Sequence, residues 1–407
     1  MIKSVFGFLQ GKNEIGDEET VKKDNQKRGL EFYALGDVDT PKNTRQTLNI
    51  LLLADNRHEA NVVQDHINAF GKHSRHNVFV VNPIWQSLER CCQIEKIDVI
   101  LIHYSILTLS DYFLPEYNAE IIRKFSGPKA QIIQDECRWI NRMKDRMVDL
   151  GIGAVFSSLG VGNMQKVYGG TPLRNARFYS CLPGYIPVYM KEIETLPISE
   201  RPLDIVYRGR ELAYWYGKHA REKSEIANHM LRLCGHYGGL IDISAKESTR
   251  IYGDDWLKFV ASGRTTLGVE GGVSIFDFDG TVEKGTNEYL EDHSGASFKE
   301  VFRKVLKPYE GNIIHKTITP RIFESICLKT ALILYPGNYN GLLKENIHYI
   351  PLSPNGENDK EVAKKLKDHA YLQELVDRTF IDIVDREELQ ASYYVEKVED
   401  ALMLLTE

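Results

Sequence analysis

Between residues 48 and 183 short apolar runs alternate with longer stretches whose apolar residues recur at helical spacing. The runs are LNILLLAD (48–55), NVFVVN (77–82), IDVILIHYS (97–105), AQIIQDE (130–136), AVFSSLG (154–160) and ARFYSCLP (176–183). Runs this continuously apolar suit strands buried on both faces, as in a parallel sheet covered by helices. Helical periodicity over 59–70, 85–96, 110–125 and 138–150 supplies the crossovers, so the segment reads as consecutive βαβ units. A stretch over 187–202 carrying Pro187, Pro197 and Pro202 interrupts the pattern, which then starts again. Strands are expected at LDIVYRG (203–209), LIDIS (240–244), TTLGVE (265–270), TALILYP (330–336) and IHYIPL (347–352). Helices are expected over 212–235, 254–262, 297–306, 320–328 and 357–378. The chain is α/β, with a polar extension over 1–46 and two Rossmann-like doubly wound domains over 47–190 and 191–385. An amphipathic terminal helix over 386–407 carries Leu389, Tyr393, Val398, Ala401, Leu402 and Leu405 on one stripe.

With 407 residues, each half is long enough for its own core. A net charge of −6 argues against nucleic acid as a partner. Six cysteines without CxxC spacing read as reduced residues of a cytoplasmic protein, not as a zinc site or disulfide framework. No apolar run approaches the ~20 residues that span a bilayer. Ile2, Val5, Phe6 and Leu9 share one helical face beside Lys3 and Lys12. Residues 1–12 are therefore expected either as a weak anchor at the inner membrane surface or as a helix packed on the first domain. His73 and His76 lack a third ligand, and no metal site is expected.

SIFDFDGT (274–281) resembles the first motif of the haloacid-dehalogenase phosphohydrolases, which would make Asp277 a nucleophile and Asp279 an acid/base, both holding Mg²⁺. That motif normally opens its domain, whereas here one and a half α/β domains precede it. The plainer reading is an Asp279-Gly280 turn with Asp277 as a locally bonded carboxylate. A Mg²⁺-dependent phosphatase stays as one rival.

TPRIFESICLKTALILYPGNYNGLL (319–343) carries a stronger signal. Pro320 after Thr319 starts a helix, Glu324 follows one turn in, and a buried strand comes next. The stretch resembles the donor-site helix of the group 1 glycosyltransferases with the GT-B fold. The resemblance implies that Glu324 binds ribose hydroxyls while the helix start, with Thr319 and Arg321, faces a diphosphate, as free N–H donors there favour. VYRGRELAYWYGKHAREK (206–223) is similar to the family's Gly-Arg…Lys element, implying that Arg208, Arg210 and Lys218 neutralise the leaving diphosphate. Glu270, Gly271 and Gly272 resemble a loop beside the donor cleft, a pattern found in enzymes of bacterial surface polysaccharides. Tyr339 and Asn340 are placed at the same site. Lys316 stands where the family pattern has a further Glu, and LLLADNRHEA has no glycine.

The resemblance covers 200–385 well and the first domain in architecture only. It implies two domains facing across a cleft, with the terminal helix crossing back to the first. It further implies a nucleotide-diphosphate sugar donor, a glycan or lipid-linked acceptor and no cofactor. Asp135 and Glu136, after the strand AQIIQ, and His58, after LNILLLAD, sit where open α/β sheets place ligand groups. Asp135 or Glu136 is the expected acceptor-activating group. A GT-B shell that binds without catalysing is the second rival.

Overall fold

The structure, a computed structural model, describes residues 30–42, 46–89, 96–170, 172–173 and 176–407. Residues 1–12, and residues 90–95 of the helix expected over 85–96, lie outside the described residues.

The first sheet has seven strands in the order β1-β7-β6-β5-β4-β2-β3. They are β1 (Glu31–Ala34), β2 (Asn49–Leu53), β3 (Asn77–Val81), β4 (Val99–Ile102), β5 (Lys129–Ile133), β6 (Ala154–Ser157) and β7 (Arg177–Ser180), every pairing parallel. Alternate side chains enter opposite cores, as the pleat requires. Leu51, Leu53, Ile100, Ile102 and Val155 meet α2 (Glu116–Lys124), α3 (Ile140–Leu150) and α4 (Val161–Tyr168) on one face. Ile50, Leu52, Val99, Leu101 and Phe156 meet α1 (Asn61–His73) on the other, where Tyr394, Val395, Val398 and Leu402 of the terminal helix α12 (Ala391–Thr406) join the same core. The expectation that 1–46 is only an extension needs correcting: Glu31–Ala34 pairs in register with Arg177–Ser180 as an edge strand.

The second sheet has five parallel strands in the order β14-β13-β10-β8-β9. These are β8 (Leu203–Arg208), β9 (Ile241–Ser244), β10 (Gly263–Gly268), β13 (Ala331–Leu334) and β14 (Ile350–Pro351). Helices α5 (Lys218–Tyr237), α6 (Gly253–Ser262), α9 (Pro320–Cys327), α10 (Asp359–Leu366) and α11 (His369–Ile383) accompany it. The single helix expected over 357–378 divides at Asp368, whose carboxylate accepts the Tyr371 N–H at 3.0 Å and caps the second segment.

Residues 271–317 form an excursion from this domain. Its antiparallel pair β11 (Gly271–Val273) and β12 (His315–Thr317) flanks α7 (Thr281–Asp292), α8 (Phe298–Val301) and a π turn over Phe302–Leu306. Val273, Phe276 and Ile313 of the excursion are buried in the first domain's core. The chain crosses between domains twice, side by side: Ile186 N–H donates to Leu389 O at 2.8 Å and Ala391 N–H to Ile186 O at 3.3 Å. Arg201 fixes the incoming linker to the second domain. Its buried guanidinium donates to the carbonyls of Leu196, Leu328 and Gly263 and to the Thr330 hydroxyl, at 2.8–3.0 Å.

Candidate functional site between the two sheets

Open α/β sheets bind ligands outside the carboxyl ends of their strands, where the strand order reverses. The second sheet reverses between β8 and β10, and the groups there are Arg208 to Arg210 and Val269 to Gly272. Helix α9 begins beside them. A Cβ on Gly184, in the loop after β7, would lie 2.7 Å from Pro320 Cγ, so the first domain touches the start of α9 directly.

Glu324 is buried, and its Oε2 accepts the Trp256 indole N–H at 2.7 Å. The Arg321 guanidinium lies 4.8 Å from the centroid of the same indole. Burial raises the Glu324 carboxyl above the usual range, while Trp256 and Arg321 oppose that shift and Asp65 adds to it. Arg321 also donates to the Arg208 carbonyl. Arg321 and Glu324 thus stand one on each side of Trp256, a residue that gave no signal in the sequence.

The cations divide differently from expectation. Arg208 is buried, with its donors spent on the Tyr207, Asp242 and Thr249 carbonyls and both Asp242 oxygens, the latter at 2.8 Å. Its guanidinium also stacks on Phe259 at 4.3 Å, so Arg208 braces β8 against β9 and α6. Lys218 is exposed and places its ammonium 4.4 Å from the Phe302 ring centroid, over the excursion. Arg210 remains at the β8 end, exposed, 3.6 Å from a Glu247 oxygen. The lysine that joins it is Lys223, five residues after Lys218. Burial, then Arg321 and Arg210, lower the Lys223 ammonium, while Asp135 from the first domain supports its charge. Arg321 and Arg210 of the second domain and Asp135 of the first thus all act on the charge of Lys223.

Glu270 is buried and accepts the Tyr339 N–H at 2.8 Å, with the Lys316 ammonium 3.8 Å away. Lys316 thus faces an acidic partner from the short loop after β10. Tyr339 and Asn340 both have positive φ, 47° and 56°. The Tyr339 ring is fully buried, and its hydroxyl donates to Tyr335 O at 2.6 Å. Asn340 Oδ1 accepts the Ile318 N–H at 2.6 Å and the Thr317 hydroxyl at 3.1 Å. Both side chains hold the turn instead of facing the cleft. Gly271 and Gly272 are sterically required: a Cβ on the first would meet Thr319 Cγ2 at 2.9 Å, and on the second the His315 carbonyl at 2.2 Å. Thr319 is the extended residue before α9 and its side chain makes no capping bond.

In the first domain, Asp135 is exposed. Glu136 points inward, where its carboxylate accepts the Ser157 hydroxyl and the Tyr168 hydroxyl, the latter at 2.5 Å. Burial pushes Glu136 up to about 7 against those two bonds. It ties β5 to β6 and α4 and is not on the cleft. His58 accepts the Ala60 N–H at 3.0 Å within its own loop. A buried histidine pair was not legible in the sequence: His66 Nδ1 lies 2.9 Å from His103 Nε2, and His103 Nδ1 lies 2.8 Å from the Ser105 hydroxyl. His66 lines an interdomain pocket with Asp65, Tyr185, Phe323, Glu324 and Tyr394.

Asp277 lies in the excursion against the loop after β5, its N–H donating to Cys137 O at 2.9 Å. One of its oxygens accepts the Gly280 N–H and the other the Glu283 N–H, each at 2.9 Å, so its buried carboxylate closes the first turn of α7. Asp279 accepts the Thr281 N–H at 3.0 Å. Among the described residues no group of three or more His, Cys, Asp and Glu side chains could hold a metal ion. No described helix is long and apolar enough to cross a membrane.

No family model and no curated protein matches this sequence. Solved structures do match its shape. An alpha-glucosyltransferase, solved with UDP-glucose and DNA containing an abasic site, is similar over 88% of this chain and 100% of its own. Its TM-score is 0.56 and its sequence identity 10%. A DNA-modifying beta-glucosyltransferase is similar over 87% of this chain and 99% of its own, with a TM-score of 0.50 and 10% identity. Two parallel doubly wound sheets, a double crossing between them and a terminal helix returned to the first domain give this chain the GT-B fold.

Proposed function

We propose that this chain is a glycosyltransferase that moves a sugar from a nucleotide-diphosphate donor, held by the second domain, to an acceptor hydroxyl presented by the first. The observation that carries the proposal is the cluster at the second domain's switch point, where buried Glu324 accepts the Trp256 N–H at 2.7 Å and the Arg321 guanidinium lies 4.8 Å from the same indole while donating to the Arg208 carbonyl at the end of β8. Departure of a nucleoside diphosphate leaves negative charge on phosphate oxygens. Fixed cations in a partly dry site stabilise that charge with little reorganisation. Glu324, oriented by the Trp256 N–H, accepts from the ribose hydroxyls in this reading. Asp135 takes the proton of the attacking acceptor hydroxyl. The engagement of both Asp277 oxygens within the α7 turn supports this reading over phosphoester hydrolysis. The resemblance of residues 252–280 to a loop of surface-polysaccharide enzymes supports a glycan or lipid-linked acceptor.

Titration with UDP, GDP, ADP and dTDP, followed by turnover of the matching sugar nucleotide, tests the proposal. Lys223→Ala and Glu324→Ala should each weaken binding of the preferred nucleotide roughly 10- to 100-fold, the equivalent of losing about 1.5–3 kcal/mol of charge-assisted hydrogen bonding. Lys218→Ala should leave affinity within about twofold. Absence of nucleotide binding by the unaltered protein overturns the proposal, and binding without turnover leaves only a binding shell.

A further inference from the structure

The first sheet has its own switch point, between β2 and β4, and the loops that follow β2, β3 and β4 gather at that carboxyl edge. Each contributes one conspicuous side chain. Trp85, after β3, is 59% exposed, and Tyr112, after β4, is 52% exposed. Their rings meet edge to face, 6.4 Å between centroids at 85°. Arg57, after β2, lies over the Trp85 ring at 5.8 Å from its centroid. Leu107, in the loop after β4, is also exposed.

Exposed aromatic rings on mobile loops carry little meaning, but these loops are fixed from beneath. Asn82 and Asn118 are both buried. Asn82 accepts the Ile84 N–H at 3.1 Å, donates to Asp55 Oδ1 at 2.9 Å and takes its own N–H to Gln86 Oε1 at 3.1 Å. Asn118 donates to the carbonyls of Pro83 and Gln86 and accepts the Leu88 N–H, all at 2.9 Å. The Asp55 N–H donates to the Ser105 hydroxyl at 2.9 Å, which ties the β2 loop to the β4 loop. Two buried asparagines spend their hydrogen-bonding capacity on a loop whose largest side chain points into water. Folding alone gives no reason for that arrangement, because exposed Trp forgoes burial worth more than that of most side chains.

From this we infer that Trp85, Tyr112 and Arg57 form a preorganised shelf for a neutral sugar ring of an acceptor glycan. A pyranose presents a face of polarised C–H bonds, and the negative face of an indole is complementary to it. Arg57 supplies donors for ring hydroxyls at the shelf's edge. The second domain's switch point takes the donor in the function proposed above, on which this inference rests, and the first domain's switch point lies free for the acceptor. Bases also stack on exposed aromatic rings, so local charge must discriminate. The three connections, 55–60, 82–96 and 103–115, carry Asp55, Glu59, Glu89, Glu95 and Asp111 against Arg57, Arg90 and Lys96, a net negative balance. That balance repels a polyanion and leaves an uncharged saccharide as the favoured occupant.

The test is retention of the full-length protein on immobilised malto-, cello-, laminari- and manno-oligosaccharides, with single- and double-stranded 20-mer DNA as parallel probes. The unaltered protein should be retained on at least one neutral oligosaccharide. Trp85→Ala should reduce that retention at least 10-fold, and Trp85→Phe, which keeps a ring, no more than about threefold. Retention on none of the saccharides, or equal retention of Trp85→Ala, overturns the shelf. DNA retention lost in Trp85→Ala makes it a nucleic-acid platform and overturns the glycan assignment. Nucleotide titration of Trp85→Ala reads the second domain separately: unchanged affinity there, with saccharide retention lost, confirms the shelf. Absence of nucleotide binding in the unaltered protein removes the donor site without bearing on retention.

Discussion

His66 lines the interdomain pocket, yet its pKa is drawn down to about 3 by burial. A histidine in that state is neutral in the folded protein throughout the physiological range, and its Nδ1 can share a hydrogen bond with His103 without like-charge repulsion. The cost appears on acidification. The unfolded chain takes up a proton near pH 6.5 while the folded one does not, so stability from His66 is present above 6.5 and is lost as pH falls towards 3. Between pH 7 and pH 5 this amounts to about 2 kcal/mol. His66→Gln keeps a hydrogen-bonding group for His103 but does not titrate. Urea unfolding at both pH values should therefore show the variant losing about 2 kcal/mol less than the unaltered protein. Equal losses would mean that His66 titrates normally. The comparison between variants matters, because Glu136, pushed up to about 7, contributes with the opposite sign over the same interval.

Elements differed sharply in how visible they were in the sequence, and the reason is packing. Strands buried on both faces, such as Asn49–Leu53 and Ala331–Leu334, announce themselves as apolar runs. The edge strand Glu31–Ala34 is only four residues long and partly exposed, so it lacks the long apolar run of a strand buried on both faces. The three-residue strands Gly271–Val273 and His315–Thr317 exist only through each other. Helix α5 begins later than its periodicity indicates. Gly217, at φ 84°, begins the helix at Lys218, six residues later than the periodicity suggested. Five residues on, Lys223 is rotated about 140° from Lys218. Glu324 and Arg210 were legible because strand ends and helix starts are local features. Trp256 and the Arg208–Asp242 pair were not, because each depends on a neighbouring element. Helix α7 makes the same point through two glycines. Gly280 has φ 86°, and a Cβ there would lie 2.1 Å from the Trp139 ring. Gly280→Ala should cost about 2–4 kcal/mol through backbone strain and overpacking. Gly285, inside the same helix, has only an ordinary 3.6 Å contact with Val305. Gly285→Ala should instead stabilise by about 0.5–1 kcal/mol. Denaturant midpoints of the two variants should move in opposite directions, and a shared sign would refute the contrast.

At the scale of the whole molecule, the two domains are joined at two places. One is the double crossing at Ile186 and Gln390. The other is the excursion, where Arg138 pairs with Glu283, Trp139 donates to the same carboxylate at 3.1 Å, and the Asn141 N–H donates to Phe278 O at 2.9 Å. Beneath these contacts Val273, Phe276 and Ile313 complete the first domain's core. A domain whose core is finished by its neighbour cannot unfold alone without exposing that surface. Calorimetry should therefore show one cooperative transition instead of the separate melting usual for two-domain chains. The coupling resides in few side chains and can be removed. Phe276→Ala leaves a cavity costing about 3–5 kcal/mol. Glu283→Ala removes the carboxylate to which Arg138 and Trp139 donate, adding a penalty of about 1.5–3 kcal/mol. Both penalties fall on the contact between domains, so the double variant should melt in two steps while retaining the circular dichroism of two intact α/β halves at low temperature. Two transitions in the unaltered protein, or one in the double variant, would show that the excursion is not what couples the halves. One transition in the double variant would leave the paired crossing at Ile186 and Gln390 to carry the coupling.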